Sequence, residues 1–126
     1  MSSRVVLAFL FVLVSALGVV PASTASAETF SFQIQSNHPN IVDVELYSTS
    51  RRGHVWPGNG NVYVFNDYDV KSIRISCIRG EQICYGAWVR NQSNTYWGVG
   101  YKNRNSCRNC CYVCNGGSTR VIVLNP

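Results

Sequence analysis

The chain has 126 residues, 46% hydrophobic and 13% charged, with six cysteines and a formal net charge of +5, which is enough for one core but not for a large buried fraction of its surface. Beyond Arg4 the basic residues are spread from Arg51 to Arg120 with only Arg51 and Arg52 adjacent, so no run tracks a phosphate backbone and nucleic acid is not an expected partner. A modest attraction to anionic surfaces, such as acidic polysaccharide or membrane, stays allowed.

Arg4 is followed by an apolar run over residues 5–20, shorter than the roughly 20 residues of a membrane span. It reads as the apolar region of a signal peptide. Pro21 breaks it, and Ala25-Ser26-Ala27 supplies the small residues that signal peptidase requires. Residues 1–27 are therefore expected to be a cleaved leader and residues 28–126 a single secreted or periplasmic β domain, with ten Lys and Arg against six Asp and Glu. No cysteine stands at the cut to take a lipid.

Phe30, Phe32 and Ile34 alternate with Ser31, Gln33 and Gln35, the period of a strand with one buried face. Val42, Val44 and Leu46 alternate with Asp43, Glu45 and Tyr47, and Asn37-His38-Pro39-Asn40 between the runs is turn chemistry, so the two strands are expected to form a hairpin. Residues 48–61, rich in Gly, Pro and Asn, predict a long loop. Further strands are predicted over 62–65, 71–78, 83–89, 96–101 and 121–124, with turns at 66–69 and 79–82. In the stretch 96–101, Gly98 and Gly100 leave one face nearly bare backbone for an aromatic ring to cover. Seven short strands and no sustained 3.6-residue period predict an all-β fold, a small disulfide-stabilised β-sandwich or small barrel.

All six cysteines, Cys77, Cys84, Cys107, Cys110, Cys111 and Cys114, fall in the expected mature part. An even number in an oxidising compartment predicts disulfides. Cys77 and Cys84 flank a six-residue turn, which predicts a cross-strand bond worth about 2–3 kcal/mol by loop entropy. In the cluster Cys107-Arg-Asn-Cys110-Cys111-Tyr-Val-Cys114, adjacent cysteines seldom bond each other. The local pairings are then 107 with 110 and 111 with 114, or 107 with 111 and 110 with 114, and bonds to Cys77 or Cys84 remain open. No metal is expected. The alternative, a thiolate site of Cys107, Cys110, Cys111 and Cys114, suits neither the compartment nor the abutting CxxC units, since zinc knuckles stand a dozen or more residues apart.

No catalytic set emerges, and no cofactor is implied. His38 and His54 lie near no nucleophile pattern and read as solvated loop residues. Asp43 and Glu45 read as the solvent face of a strand rather than an acid and base pair. Asn66, Asp67 and Asp69 read as an Asx-rich turn, with a calcium turn as the alternative. Trp56 sits in the Pro-Gly loop beside Arg51, Arg52 and His54, either as a plug over the end of the sandwich or as a surface platform. Trp97 and Tyr101 join the candidate binding surface as residues four apart on one strand face. The leading expectation is a non-enzymatic secreted binding module that uses Arg51, Arg52, His54, Trp56, Trp97 and Tyr101 toward a glycan or protein partner. A basic toxin or antimicrobial, an enzyme inhibitor and a small hydrolase are the alternatives.

Overall fold

The computed structural model describes residues 15–19 and 26–126, so most of the expected leader lies outside the described residues. The first strand, β1 (Ala27–Ser36), already includes the residue before the expected cut, with Ala27 opposite Ile78.

Alternating apolar residues place β1, β5 (Val70–Ile78) and β9 (Ser118–Leu124) in a three-stranded sheet of order β5-β1-β9. β1 runs antiparallel to β5 and parallel to β9. The second sheet is centred on β2 (Val42–Ser48) and β6 (Gln82–Val89), paired from Val42 opposite Val89 to Ser48 opposite Ile83. β3 (Val55–Trp56) and β4 (Tyr63–Phe65) both pair with β2, while β7 (Gln92–Gly98) and β8 (Cys111–Val113) both pair with β6. The fold is the expected all-β class, a small sandwich-like pair of sheets braced by three disulfides.

Two pairings differ from the sequence expectation for one reason. β1 and β2 are not a hairpin, since the chain passes from the first sheet to the second between them. β5 and β6 likewise belong to different sheets, so the turn holding Gly80 crosses the sandwich. Period-two alternation identifies the buried face of a strand, but two strands facing one core across the roughly 10 Å between sheets alternate just as hairpin partners do.

Between the sheets, Phe30, Phe32, Ile34, Ile73 and Ile75 meet Val42, Val44, Leu46, Phe65, Ile83, Ala87 and Val89 in one cluster. Phe30 and Phe32 pack edge to face at 5.3 Å, and Tyr112 from β8 meets Phe32 edge-on at 5.6 Å. The short strands β3 and β8 lie where a loop and a cysteine cluster were expected. Neither has enough residues to display a period.

The crossing at 79–81 decides the disulfides. Cys77 bonds Cys114, Cys84 bonds Cys111, and Cys107 bonds Cys110. The expected Cys77–Cys84 bond is therefore absent: the two sulfurs belong to strands of opposite sheets. Cys77 instead ties the first sheet to the chain leaving β8, and Cys84 meets its register partner Cys111. The alternative metal reading of the cluster needs free thiolates, and all four of its sulfurs are bonded. Asp69 donates its backbone N–H to the Asp67 carboxylate at 3.0 Å, the geometry of an Asx turn.

Candidate functional site

The structure brings together three of the six residues expected to bind. Arg51, His54 and Trp56 line one groove, with the Arg51 guanidinium 5.5 Å from the Trp56 ring centre and His54 edge-on to it at 4.6 Å. Yet Trp56 is only 8% exposed, and its indole N–H donates to the Ser76 carbonyl at 3.0 Å. The ring is a plug that joins β3 of one sheet to β5 of the other. Trp56→Phe, which removes that donor, is expected to lower the free energy of unfolding by about 1–2 kcal/mol. Urea denaturation measures it, and an unchanged midpoint would return the ring to the ligand-facing groups.

Arg51 is committed as well, since its Nε and Nη2 donate to Glu81 at 2.6 and 2.9 Å. Arg52 is exposed and makes no ion pair among the described residues. Trp97 and Tyr101 do not share a surface. Trp97 stands opposite Ala87 and packs toward the core, its N–H donating to the Asn125 carbonyl at 2.7 Å. Tyr101 lies beyond the end of β7, edge-on to Trp88 at 5.1 Å. Gly98 and Gly100, at φ of 64° and 66°, end the strand and turn the chain away, so the alternation that seemed to link the two residues breaks between them.

From that turn, residues 99–110 fold back over the second sheet on the side away from the core. Val99 and Cys110 are buried there with Tyr47 and Cys84 in a second apolar cluster. The close approach depends on Gly86, where a Cβ would stand 2.3 Å from the Gly100 carbonyl oxygen and 2.9 Å from the Tyr47 ring. The face that carries Asp43, Glu45 and Tyr47 is thus no solvent face. Asp43 is buried and held by Arg90, which donates to its two oxygens at 2.7 and 3.0 Å.

Where this covering segment meets the 48–61 loop, a cleft remains. One part, of about 530 Å³, runs between Glu45, Lys102 and the loop residues 53–61. An adjoining part, of about 320 Å³, reaches Tyr47 and Asn103 and shares Glu45, His54 and Lys102 with the first. Of the eleven positions with positive φ among the described residues, six line it: Gly53, Gly58, Asn59, Gly60, Lys102 and Asn103. For Lys102, at 53°, this is a sparsely occupied conformation that side chains other than Gly, Asn and Asp seldom take.

The groups in the cleft are unusual for a protein surface. Burial pushes the Glu45 carboxyl above its ordinary range and the charge of Asp43 adds to this, while the Tyr47 phenol and Lys102 oppose it. Burial and the neighbouring Glu45 also push the Tyr47 phenol up. The Tyr47 hydroxyl is buried facing Glu45 and the backbone of Lys102 and Asn103, none of them in good hydrogen-bond geometry.

No family model, curated protein or solved structure matches this chain. The site is therefore argued from its chemistry. Sequence reasoning missed Tyr47, Lys102 and the joint role of Glu45, because the covering segment that buries them folds back from sixty residues downstream. Their one sequence signal was the odd glycine pair at 98 and 100.

Proposed function

We propose that the chain is a secreted or periplasmic binding module, delivered by the leader 1–27, whose cleft on the outer side of the second sheet takes a hydroxyl-rich ligand of glycan type. The observation that carries this reading is the part-buried Glu45 carboxyl, which both parts of the cleft share together with His54 and Lys102. A hydroxyl of the ligand donating to this carboxylate would offset the burial that disfavours its charge. His54, Lys102 and the amides of Asn59, Asn61 and Asn103 surround it with further donors and acceptors. A few convergent polar groups in a concave site are what orient a small polyhydroxylated molecule.

The reading is non-catalytic. A glycosidase works with two carboxyl groups flanking the bond, and here Asp43 is held by Arg90 while Glu45 stands alone in the cleft. Three disulfides support an extracytoplasmic setting.

Titration with neutral chito-, malto-, manno- and galacto-oligosaccharides, followed by amide NMR, tests the proposal. Shifts are expected at residues 45–47, 53–61 and 102–103. Glu45→Gln should weaken binding about tenfold, the equivalent of about 1.4 kcal/mol, while thermal stability holds or rises because burial disfavours the charge it removes. A silent panel, or a Gln variant that binds as the parent does, would overturn the reading.

A further inference from the structure

Next to the cleft, across Tyr101, lies a second cavity of about 190 Å³ between β7 and the covering segment. Its walls are Tyr96, Tyr101, Arg104, Ser93, Asn94 and Asn105. Tyr101 is half-buried, and the Lys102 ammonium and Arg104 guanidinium each stand 5.2 Å from its ring centre. Lys102 belongs to the cleft and Arg104 to this second cavity, so the ring divides two hollows, each with one cation.

The charge of this region is one-sided. Residues 92–110, which form β7 and the covering segment, contain Lys102, Arg104 and Arg108 and no acid. None of the three makes an ion pair among the described residues; Asp43 is taken by Arg90, and Glu45, in the cleft, faces Lys102 and not the cavity of Arg104. A guanidinium over a tyrosine ring, with amides and a hydroxyl around it, offers paired donors to a planar carboxylate, while the amides serve the neighbouring ring hydroxyls.

We infer that the cavity around Arg104 is a second subsite and that the ligand spanning it and the cleft is an acidic polysaccharide, one sugar carboxylate meeting Arg104 while a ring packs against Tyr101. This rests on the glycan reading of the cleft and adds the charge of the ligand. Nucleic acid, the other polyanion, fits less well, because phosphate-backbone affinity grows with the number of neutralising cations, and three stand here without a basic run.

The experiment is calorimetric titration of the whole secreted chain with a galacturonate hexasaccharide, its methyl ester and hexauridylate, at low and moderate salt. The acid form should bind at least about tenfold tighter than the ester, as expected for a charge-assisted hydrogen bond, and should weaken with salt. Arg104→Gln should remove that preference, the acid form falling to the affinity of the ester, with its melting temperature measured in parallel because its guanidinium packs on Tyr101. Arg120→Gln, on the opposite sheet, should alter neither affinity. Tyr101→Ala should weaken acid and ester alike, with its melting temperature measured in parallel because Tyr101 packs on Trp88. Equal binding of acid and ester, or an Arg104→Gln variant that keeps the preference, would overturn the acidic subsite while leaving the cleft reading intact. Hexauridylate bound as tightly as the galacturonate would overturn it in favour of a general polyanion surface. Failure of both sugar forms, together with a silent neutral panel, would overturn the subsite and the cleft reading together.

Discussion

Replacing Cys77 and Cys114 together by alanine is expected to lower the free energy of unfolding by about 4 kcal/mol. The bond links residues 37 apart, and closing a loop of that size removes roughly this much chain entropy from the unfolded state. It also joins β5 of the first sheet to the chain that leaves β8 of the second, so it holds the sandwich across its core. Both sulfurs are buried, Cys114 completely, and their loss leaves a void among apolar neighbours that adds to the cost. Small domains have about 5–15 kcal/mol in all, so the double variant should be near its limit at physiological temperature. The Cys107–Cys110 pair, only three residues apart, should cost under about 2 kcal/mol by the same relation. Urea unfolding of the two double variants under identical conditions compares them. Equal losses would mean that native packing around the sulfurs, not loop entropy, sets the contribution of the bonds.

The contrast between these bonds and the expected one shows what the sequence could carry. The buried residues of β1, β2, β5 and β6 were legible, because alternation is a local property with a fixed period. Phe30, Phe32, Ile34, Val42, Val44 and Leu46 all face the core as their spacing requires. Which sheet a strand joins is not local. The turns at 37–40 and 79–82 have the composition of hairpin turns yet cross between layers, and the disulfide expectation built on the second of them failed with it. The candidate site was less legible for the same reason. The loop composition leaves Trp56 open to both the plug and the platform reading, and a strand period that Gly98 interrupts places Tyr101 and Trp97 together. The cleft needs the segment 99–110 to return over β2, and that return depends on a clearance at Gly86 that no pattern of hydrophobicity records.

Glu81→Gln is expected to lower stability at pH 7 by about 3 kcal/mol. Glu81 was read as a turn residue, but it is 3% exposed and its carboxylate is the meeting point of four donors. The Ser48 hydroxyl and Arg51 Nε donate to one oxygen at 2.6 Å each, while Arg51 Nη2 and the Ile78 backbone N–H donate to the other at 2.9 and 3.0 Å. Burial alone would push this carboxyl up, but Arg51, the Ile78 amide and Ser48 together outweigh it and hold the pKa at about 2. Since the folded value lies below the unfolded one, the carboxylate's contribution is fully present above about pH 4.5 and is lost as the pH falls toward 2. A displacement of that size corresponds to about 3 kcal/mol. The parent and Glu81→Gln should therefore differ most at neutral pH and converge as pH 2 is approached, in unfolding curves taken at several pH values. A gap that persists at pH 2 would assign the loss to packing instead of charge. The consequence reaches the cleft, because Ser48 also accepts the Arg51 backbone N–H at 2.8 Å, which fixes the start of the loop that carries Gly53 and His54. Loosening that anchor should weaken ligand binding as well, and in the same pH range in which the carboxylate loses its charge.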